Sequence, residues 1–435
     1  MIESGMSDKH KPRSPAEDCG SQQRWRSAVP AVLFVALILR IGAASWTELS
    51  VREAGRMFFV EGDANGYWHL GRAVASGEDY SIHQPARRVL RVPGFPLLLG
   101  AVIHCFGESV FAARIILAGV GAGCCWLTYC LGCQLVTRRV GFWAALLMAV
   151  HPLQIGNSVL ILSENWFTFW MLAGLWCLAS QIGCSLGQSN EDSAFRLPLL
   201  IRSALTGALI AVAVLVRPGF ILWLPVAMMA VVLLTRHRWP EKLILPVLMV
   251  IAFAAVMLPW VVRNYNVTGH WVLTSLWSGP SLYDGLNPAA DGSSNMQFFD
   301  RDNVMATMSE YQMNAHYQQL AQQFMRENPG RTLTLAGRKL VRYLQPVPNS
   351  VSAGWVVWVA CSLFWLIVVA LCVAGLRARQ LNPTGLLLVL GPFVLFMVVH
   401  MVFVGSLRYR LPAEFPLAIL VATGMCQWLP RRKHG

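Results

Sequence analysis

The run Gly62-Asp63-Ala64-Asn65-Gly66-Tyr67-Trp68 puts one acid beside two aromatic rings, and Arg87-Arg88 and Arg91-Val92-Pro93-Gly94-Phe95-Pro96 follow shortly after. A carboxylate among guanidinium groups can accept a proton or a hydrogen bond while the guanidiniums grip a phosphate. Charge-assisted bonds of that kind are worth about 1.5–3 kcal/mol each. Asp63 opens an expected helix over 64–75, where its ordinary role would be an N-cap that accepts a backbone N–H. As an active-site group it would be a base or acceptor, with Tyr67 and Trp68 one turn on to position a substrate. Its arginine-rich company makes the active-site reading the stronger one.

Other arginines recur at the ends of apolar runs. Arg263 lies in Pro259-Trp260-Val261-Val262-Arg263-Asn264-Tyr265, and Arg408-Tyr409-Arg410-Leu411-Pro412 sits between two apolar segments. Arg87, Arg88, Arg91, Arg263, Arg408 and Arg410 are therefore candidates to bind a donor phosphate, with Tyr409 as a further positioning residue. Arg301, Arg326 and Arg331 fit solvated loops. Arg40, Arg114 and Arg217 either face the same cavity or pair structurally. Glu164, in Leu162-Ser163-Glu164-Asn165-Trp166, begins an apolar run, where an acid complements the helix dipole. Beside Asp63 it would be a second catalytic carboxylate, able to orient a substrate or hold a divalent cation. His69 and His83 share a loop but lack fixed metal-ligand spacing. The sequence has no glycine-rich phosphate loop, nucleophile elbow or zinc signature.

The elements that must carry these residues are apolar helices. Of 435 residues, 55% are hydrophobic and 13% charged, and the mean hydropathy is +0.50. A soluble globular chain needs a more polar surface than that, so an all-α polytopic membrane protein is expected. Spans of roughly 20 residues cross a bilayer. Ten are expected, over 29–46, 111–136, 140–154, 166–182, 201–216, 220–234, 243–262, 355–376, 386–404 and 415–429. The run 94–106 is too short to span and reads as an interfacial or re-entrant helix.

The net charge of +13 does not point to nucleic acid, because the basic residues lie in short loops between apolar runs. With the N-terminus inside, Arg138-Arg139, Arg196, Arg202, Arg236, Arg238, Lys242, Arg377, Arg379 and Arg431-Arg432-Lys433 make every inner loop basic. Residues 1–28 are then a disordered cytoplasmic tail, 29–429 the membrane domain and 430–435 a basic tail. Two large outer loops cover about 47–110 and 263–353, the second with an amphipathic stretch near 309–325. Most of the eleven cysteines lie in apolar segments. Cys130-Leu131-Gly132-Cys133 therefore reads as helix packing rather than a metal motif.

The ordered set of motifs resembles the membrane glycosyltransferases of family 39, which include the dolichyl-phosphate-mannose–protein mannosyltransferases and the lipid A aminoarabinose transferases. It comprises Gly62-Asp63…Tyr67, Arg91-x-Pro93-Gly94-Phe95-Pro96, Phe111-Ala112-Ala113-Arg114, Leu162-Ser163-Glu164, Leu215-Val216-Arg217-Pro218, Pro259-Trp260…Arg263-Asn264 with Gly269, and Arg408-Tyr409-Arg410-x-Pro412. The resemblance implies a C-type glycosyltransferase-like bundle of about ten transmembrane helices with interfacial helices in the outer loops. It implies inverting transfer from a polyprenyl-phosphate sugar to a glycan, lipid or protein on the outer face of a bacterial inner membrane.

By the same resemblance Asp63 is the catalytic acid of the first outer loop and Glu164 a second acidic residue. Two departures stand out. Ala64 replaces a second acid found in protein mannosyltransferases, which disfavours protein O-mannosylation. Asp284-Gly285-Leu286 precedes Asn287-Pro288 where relatives often carry a Gly-Asn-Asn run. The chemistry needs no metal, although Glu164 and a histidine leave room for a divalent cation. A transporter or flippase for an anionic lipid or solute could use the same arginines, but the inner halves of its spans would need more polar residues. A scaffold that keeps the fold without activity is the third reading.

Overall fold

The computed structural model describes residues 15–185, 198–235, 238–347 and 355–428. Its helices run in the order α1 (Pro15–Glu53), α2 (Asp63–Ser76), α3 (Gly94–Phe106), α4 (Val110–Leu135), α5 (Arg138–Val150), α6 (Pro152–Asn157), α7 (Ser163–Ser185), α8 (Leu199–Val216), α9 (Trp223–Leu234), α10 (Trp239–Thr268), α11 (Ser278–Gly285), α12 (Gln297–Asp302), α13 (Val304–Thr307), α14 (Glu310–Glu327), α15 (Pro329–Leu344), α16 (Trp355–Arg377), α17 (Pro383–Val402) and α18 (Leu411–Trp428). Among the described residues strand pairing is limited to one isolated bridge between Ile82 and Arg87.

Local sequence fixes several helix ends. Ser109, Thr137 and Asn382 cap α4, α5 and α17 by accepting backbone N–H groups of Ala112, Val140 and Gly385. Ser309 and Gln312 form a capping box at the start of α14, inside the amphipathic stretch expected there. Gly269 ends α10 in the left-handed conformation (φ 73°).

Each of the ten apolar segments is mainly helical over its described residues. Six helices are long and apolar enough, by length and composition, to cross a membrane: Trp25–Glu53, Val110–Leu135, Leu199–Val216, Trp239–Thr268, Trp358–Arg377 and Pro383–Val402. These are six of the ten expected spans, and the other four fall on α5, α7, α9 and α18. Helices α5 and α9 have only 13 and 12 residues. Helices α7 and α18 carry buried polar groups, among them Glu164, Asn165 and Glu414. Those two helices sit in the bundle interior, where protein rather than lipid surrounds them: Leu411 to Gly424 of α18 are all buried. The 94–106 segment is indeed a short helix, α3, packed on α2 through Gly71 and Gly100.

Of the expected 1–28 tail, residues 15–28 belong to α1. There the Trp25 ring packs tilted against Phe142 at 5.0 Å and Trp143 at 6.4 Å, which ties this end to α5. Residues 1–14 and the 430–435 tail lie outside the described residues.

Small residues bring the helices together. Gly132 and Gly141 let α4 and α5 touch backbone to backbone, and Gly207 places α8 against the Met249 carbonyl of α10. Arg40, inside α1, is fully buried, yet it does not reach the outer loops. Its guanidinium donates to the carbonyls of Met148 (3.0 Å) and Ala149 (3.1 Å) and so satisfies the C-terminal end of α5. A side chain at Gly207 would collide with the α10 backbone, so Gly207→Val should destabilise the bundle by about 1–3 kcal/mol. Thermal unfolding in detergent reads this out as a lowered midpoint.

Candidate active site

Asp63 is the first residue of α2, but its side chain makes no cap bond. One carboxylate oxygen accepts from Arg91 Nη2 at 2.9 Å and the other from Arg408 Nη2 at 2.9 Å. Arg408 turns its Nε to Glu164 Oε1, and Arg217 approaches the same oxygen at 3.2 Å. The result is an alternating row, Arg91–Asp63–Arg408–Glu164–Arg217, with three cations against two anions. It joins the starts of α2 and α7, the end of α8 and the two turns that hold Arg91 and Arg408. Glu164 is fully buried, whereas the Asp63 side chain remains 38% exposed. Water or substrate can therefore reach Asp63.

The surroundings hold these charges in place. Gly66 lies so close to Arg91 that a Cβ there would stand 3.2 Å from Nε. The Arg91 guanidinium covers the Tyr67 ring at 4.4 Å, and Tyr67 in turn packs edge-on against Phe95 and donates to Ser163 at 3.4 Å. Gly94 tucks the Arg91–Pro96 turn against the Leu215 carbonyl at the end of α8, and Trp166 of α7 donates to its carbonyl at 3.0 Å. Tyr409 stacks on His400 at 4.1 Å, with Arg217 and Arg408 over its ring at 5.2 and 5.7 Å.

Burial alone would raise the Asp63 pKa, but the Arg91 and Arg408 guanidiniums outweigh it and hold the carboxyl well below the usual range. Of the two oxygens of Glu164, Oε1 takes both cations and Oε2 has no protein donor.

Several expected site residues lie elsewhere. Arg87 donates to the carbonyls of Met305 and Met308, which pins loop one to loop two. Arg88 pairs with Asp79 at 2.6 Å, while Glu310 accepts the backbone N–H groups of Arg88 (2.8 Å) and Val89 (2.9 Å). Arg263 sits between Tyr80 and Trp260 and donates to the carbonyls of Arg88 and Tyr80. Arg410 is buried with Glu414 at 2.7 Å, lies over Trp365 at 3.9 Å and donates to the carbonyls of Tyr343 and Gln345. Trp68 is buried against Phe58 rather than forming a shelf.

Arg87, Arg263 and Arg410 fasten backbone that lacks regular partners and Arg88 pairs with Asp79, so all four charges are already engaged. Arg114 likewise ties α4 to Glu48 of α1. Arg217 is the residue left open by sequence. Its signal is an arginine just before Pro218 at a span end; Arg114 shares the span end but not the proline. Among the described residues no group of three or more His, Cys, Asp or Glu side chains clusters as a metal site would.

Six helices long and apolar enough to cross a membrane, with this charged row at one end of the bundle, make the chain a polytopic helical membrane protein. The chain is similar in fold to the oligosaccharyltransferase AglB of Archaeoglobus fulgidus, solved with an inhibitory peptide and a dolichol-phosphate. The TM-score is 0.55 at 14% identity, over 92% of this chain and 50% of that one. The apo form of the same enzyme matches with a TM-score of 0.55 at 15% identity, again over 92% and 50%. This chain thus spans about half the length of those proteins. ArnT of Cupriavidus metallidurans, solved with undecaprenyl phosphate, aligns over 94% of this chain and 78% of its own, at 15% identity and a TM-score of 0.42. In sequence, residues 101–274 match the family of dolichyl-phosphate-mannose-protein mannosyltransferases. No curated protein matches the chain.

Two outcomes follow from the geometry. Because the folded Asp63 pKa is depressed, the ion pairs contribute fully above about pH 4 and fade only below it. Infrared titration should therefore show Asp63 ionised down to that pH, and Arg91→Met should move its protonation upward. Arg410→Met should strand Glu414 and cost about 3–5 kcal/mol of stability, measured by denaturant unfolding in detergent.

Proposed function

We propose that the chain is an inverting glycosyltransferase that moves a sugar from a polyprenyl-phosphate donor to a hydroxyl acceptor. The observation that carries this reading is the Asp63 carboxylate held at 2.9 Å by both Arg91 and Arg408. The fold similarity to a dolichol-phosphate-bound enzyme supports the class of donor. The positive charge of the opposite loops supports an outer-face site in a bacterial inner membrane.

In the transfer, the acceptor oxygen attacks the anomeric carbon while the bond from that carbon to the phosphate oxygen breaks. The hydroxyl proton passes to Asp63, and the lipid phosphate leaves with one more negative charge than it had in the donor. Arg91, Arg408 and Arg217 stabilise that growing charge, which is where electrostatic preorganisation contributes most. The one surplus cation of the row suits a donor that carries a single charge.

The same pairing explains how Asp63 becomes a base. With two guanidiniums on it the carboxylate is weakly basic. A phosphate that draws Arg91 and Arg408 toward itself restores basicity when the donor is in place. Glu164, fully buried, acts through Arg408 and Arg217 rather than by touching the sugar. Asp63→Asn should leave the protein folded but slow turnover by about 10²–10⁴-fold. The check is release of free polyprenyl phosphate by purified protein offered a series of labelled polyprenyl-phosphate sugars with alcohol acceptors. Wild-type-like release by the variant would remove Asp63 from the mechanism. No release by wild type from any donor would overturn the proposed activity.

A further inference from the structure

The turn that carries Arg408 is gripped by the second outer loop as well as by the spans beside it. Lys339 of α15 is fully buried, and its Nζ donates at 2.7 Å to the carbonyl of Val402, the last residue of α17. Gly405 lies so close beneath it that a Cβ there would stand 2.5 Å from the Lys339 carbonyl oxygen. Gly285 at the end of α11 faces both the Phe403 carbonyl and, at 2.9 Å for a Cβ, Lys339 Nζ. The Gly405 N–H donates to Gly292 at 3.3 Å, and Arg342 Nε donates to the Gly405 carbonyl at 3.4 Å. On the far side of Arg408, Arg410 holds the carbonyls of Tyr343 and Gln345.

Lys339 is an unexpected residue to find there. Burial pushes its ammonium down to about 8, against the opposing pull of Asp284. Asp284 is held by Ser294 Oγ at 2.6 Å and the Asn295 N–H at 2.7 Å. A cation whose pKa falls on folding makes the folded state less stable at neutral pH than a neutral group of its shape would. Stability alone does not explain it. Its one hydrogen bond goes to the C-terminal carbonyl of α17, where a positive charge is favoured, and the chain from that carbonyl leads straight to Arg408.

We infer that Lys339, seated by Asp284 and Gly285, is a positioning residue that sets the 402–408 turn so that Arg408 reaches both Asp63 and Glu164. This rests on reading the Asp63 row as the reaction centre. It also gives the Asp284-Gly285 departure in loop two a use. A methionine would fill the same space without donating to Val402. The turn would then lose its register, and a displacement of about 1 Å at a charged group can cost about 10²-fold in rate.

The test uses full-length protein in nanodiscs and compares wild type with Lys339→Met. We expect an unchanged or raised thermal midpoint, together with an Asp63 infrared titration moved upward because Arg408 has withdrawn. In the donor assay we expect kcat lowered by about 10–100-fold with the donor KM less affected. If Lys339→Met fails to fold, Gly405→Ala, which presses the turn away from α15, should give the same titration shift. An Asp63 titration identical to wild type in the variant that folds overturns the inference, and so does a lowered midpoint with no titration shift. A shift in Asp63 without turnover by wild type on any donor would sink the proposed activity and leave the positioning role standing.

Discussion

Guanidinium and carboxylate groups cannot stand alone where lipid and packed helices exclude water. The site follows from how their charges are matched. Glu164 is fully buried, and an ionised carboxylate there is tenable only because Arg408 and Arg217 meet it. Arg408 is shared with Asp63, and Asp63 with Arg91, so no member can be moved without exposing the charge of its neighbour. The row is stable as an alternation and carries one cation in excess. That excess makes the row receptive to an anion, and the exposed Asp63 end is where an anion can enter.

A second set of arginines does quieter work on the same principle. Arg87, Arg263 and Arg410 each donate to main-chain carbonyls in irregular segments, as Arg40 does at the end of α5. Long outer loops are rich in carbonyls without helix or sheet partners, and a guanidinium with five N–H groups can satisfy several at once. The two loops are also locked to each other, through Glu310 on the Arg88–Val89 backbone and Arg87 on α13 and its following turn. The frame and the site are thus built from one residue type in two roles.

This double use sets the limit on what sequence could tell. Hydrophobic runs made the helices legible, because a span must be apolar along its length; the exceptions were α7 and α18, whose protein-lined surroundings tolerate Glu164 and Glu414. Asp63 was legible as more than a cap because of its arginine-rich loop, and Glu164 because an acid rarely opens an apolar run. The division of the arginines was not legible. Arg408 and Arg410 stand two residues apart in the same turn, yet one meets Asp63 and the other meets Glu414. Which way each points depends on α15 and α18 arriving from distant parts of the chain. Trp68 failed for a related reason: one turn of helix separates it from the exposed Asp63 edge, and its neighbour Phe58 comes from the preceding loop.

The resting geometry also constrains any account of turnover. A carboxylate that is paired twice by arginine resists protonation, so Asp63 is a poor base while both pairs stand. A phosphate competes for the same guanidiniums more effectively than a carboxylate, since it offers more acceptor oxygens and, as it leaves, more charge. On the proposed function, binding of the donor would do two things together: it would satisfy the surplus cation and loosen the hold on Asp63. Water reaching the exposed carboxylate while both arginine pairs stand meets a poor base. For this coupling to operate, Arg408 must be free to swing between carboxylate and phosphate while its backbone stays fixed, and the packing of Gly285, Lys339 and Gly405 around the turn supplies that fixed backbone.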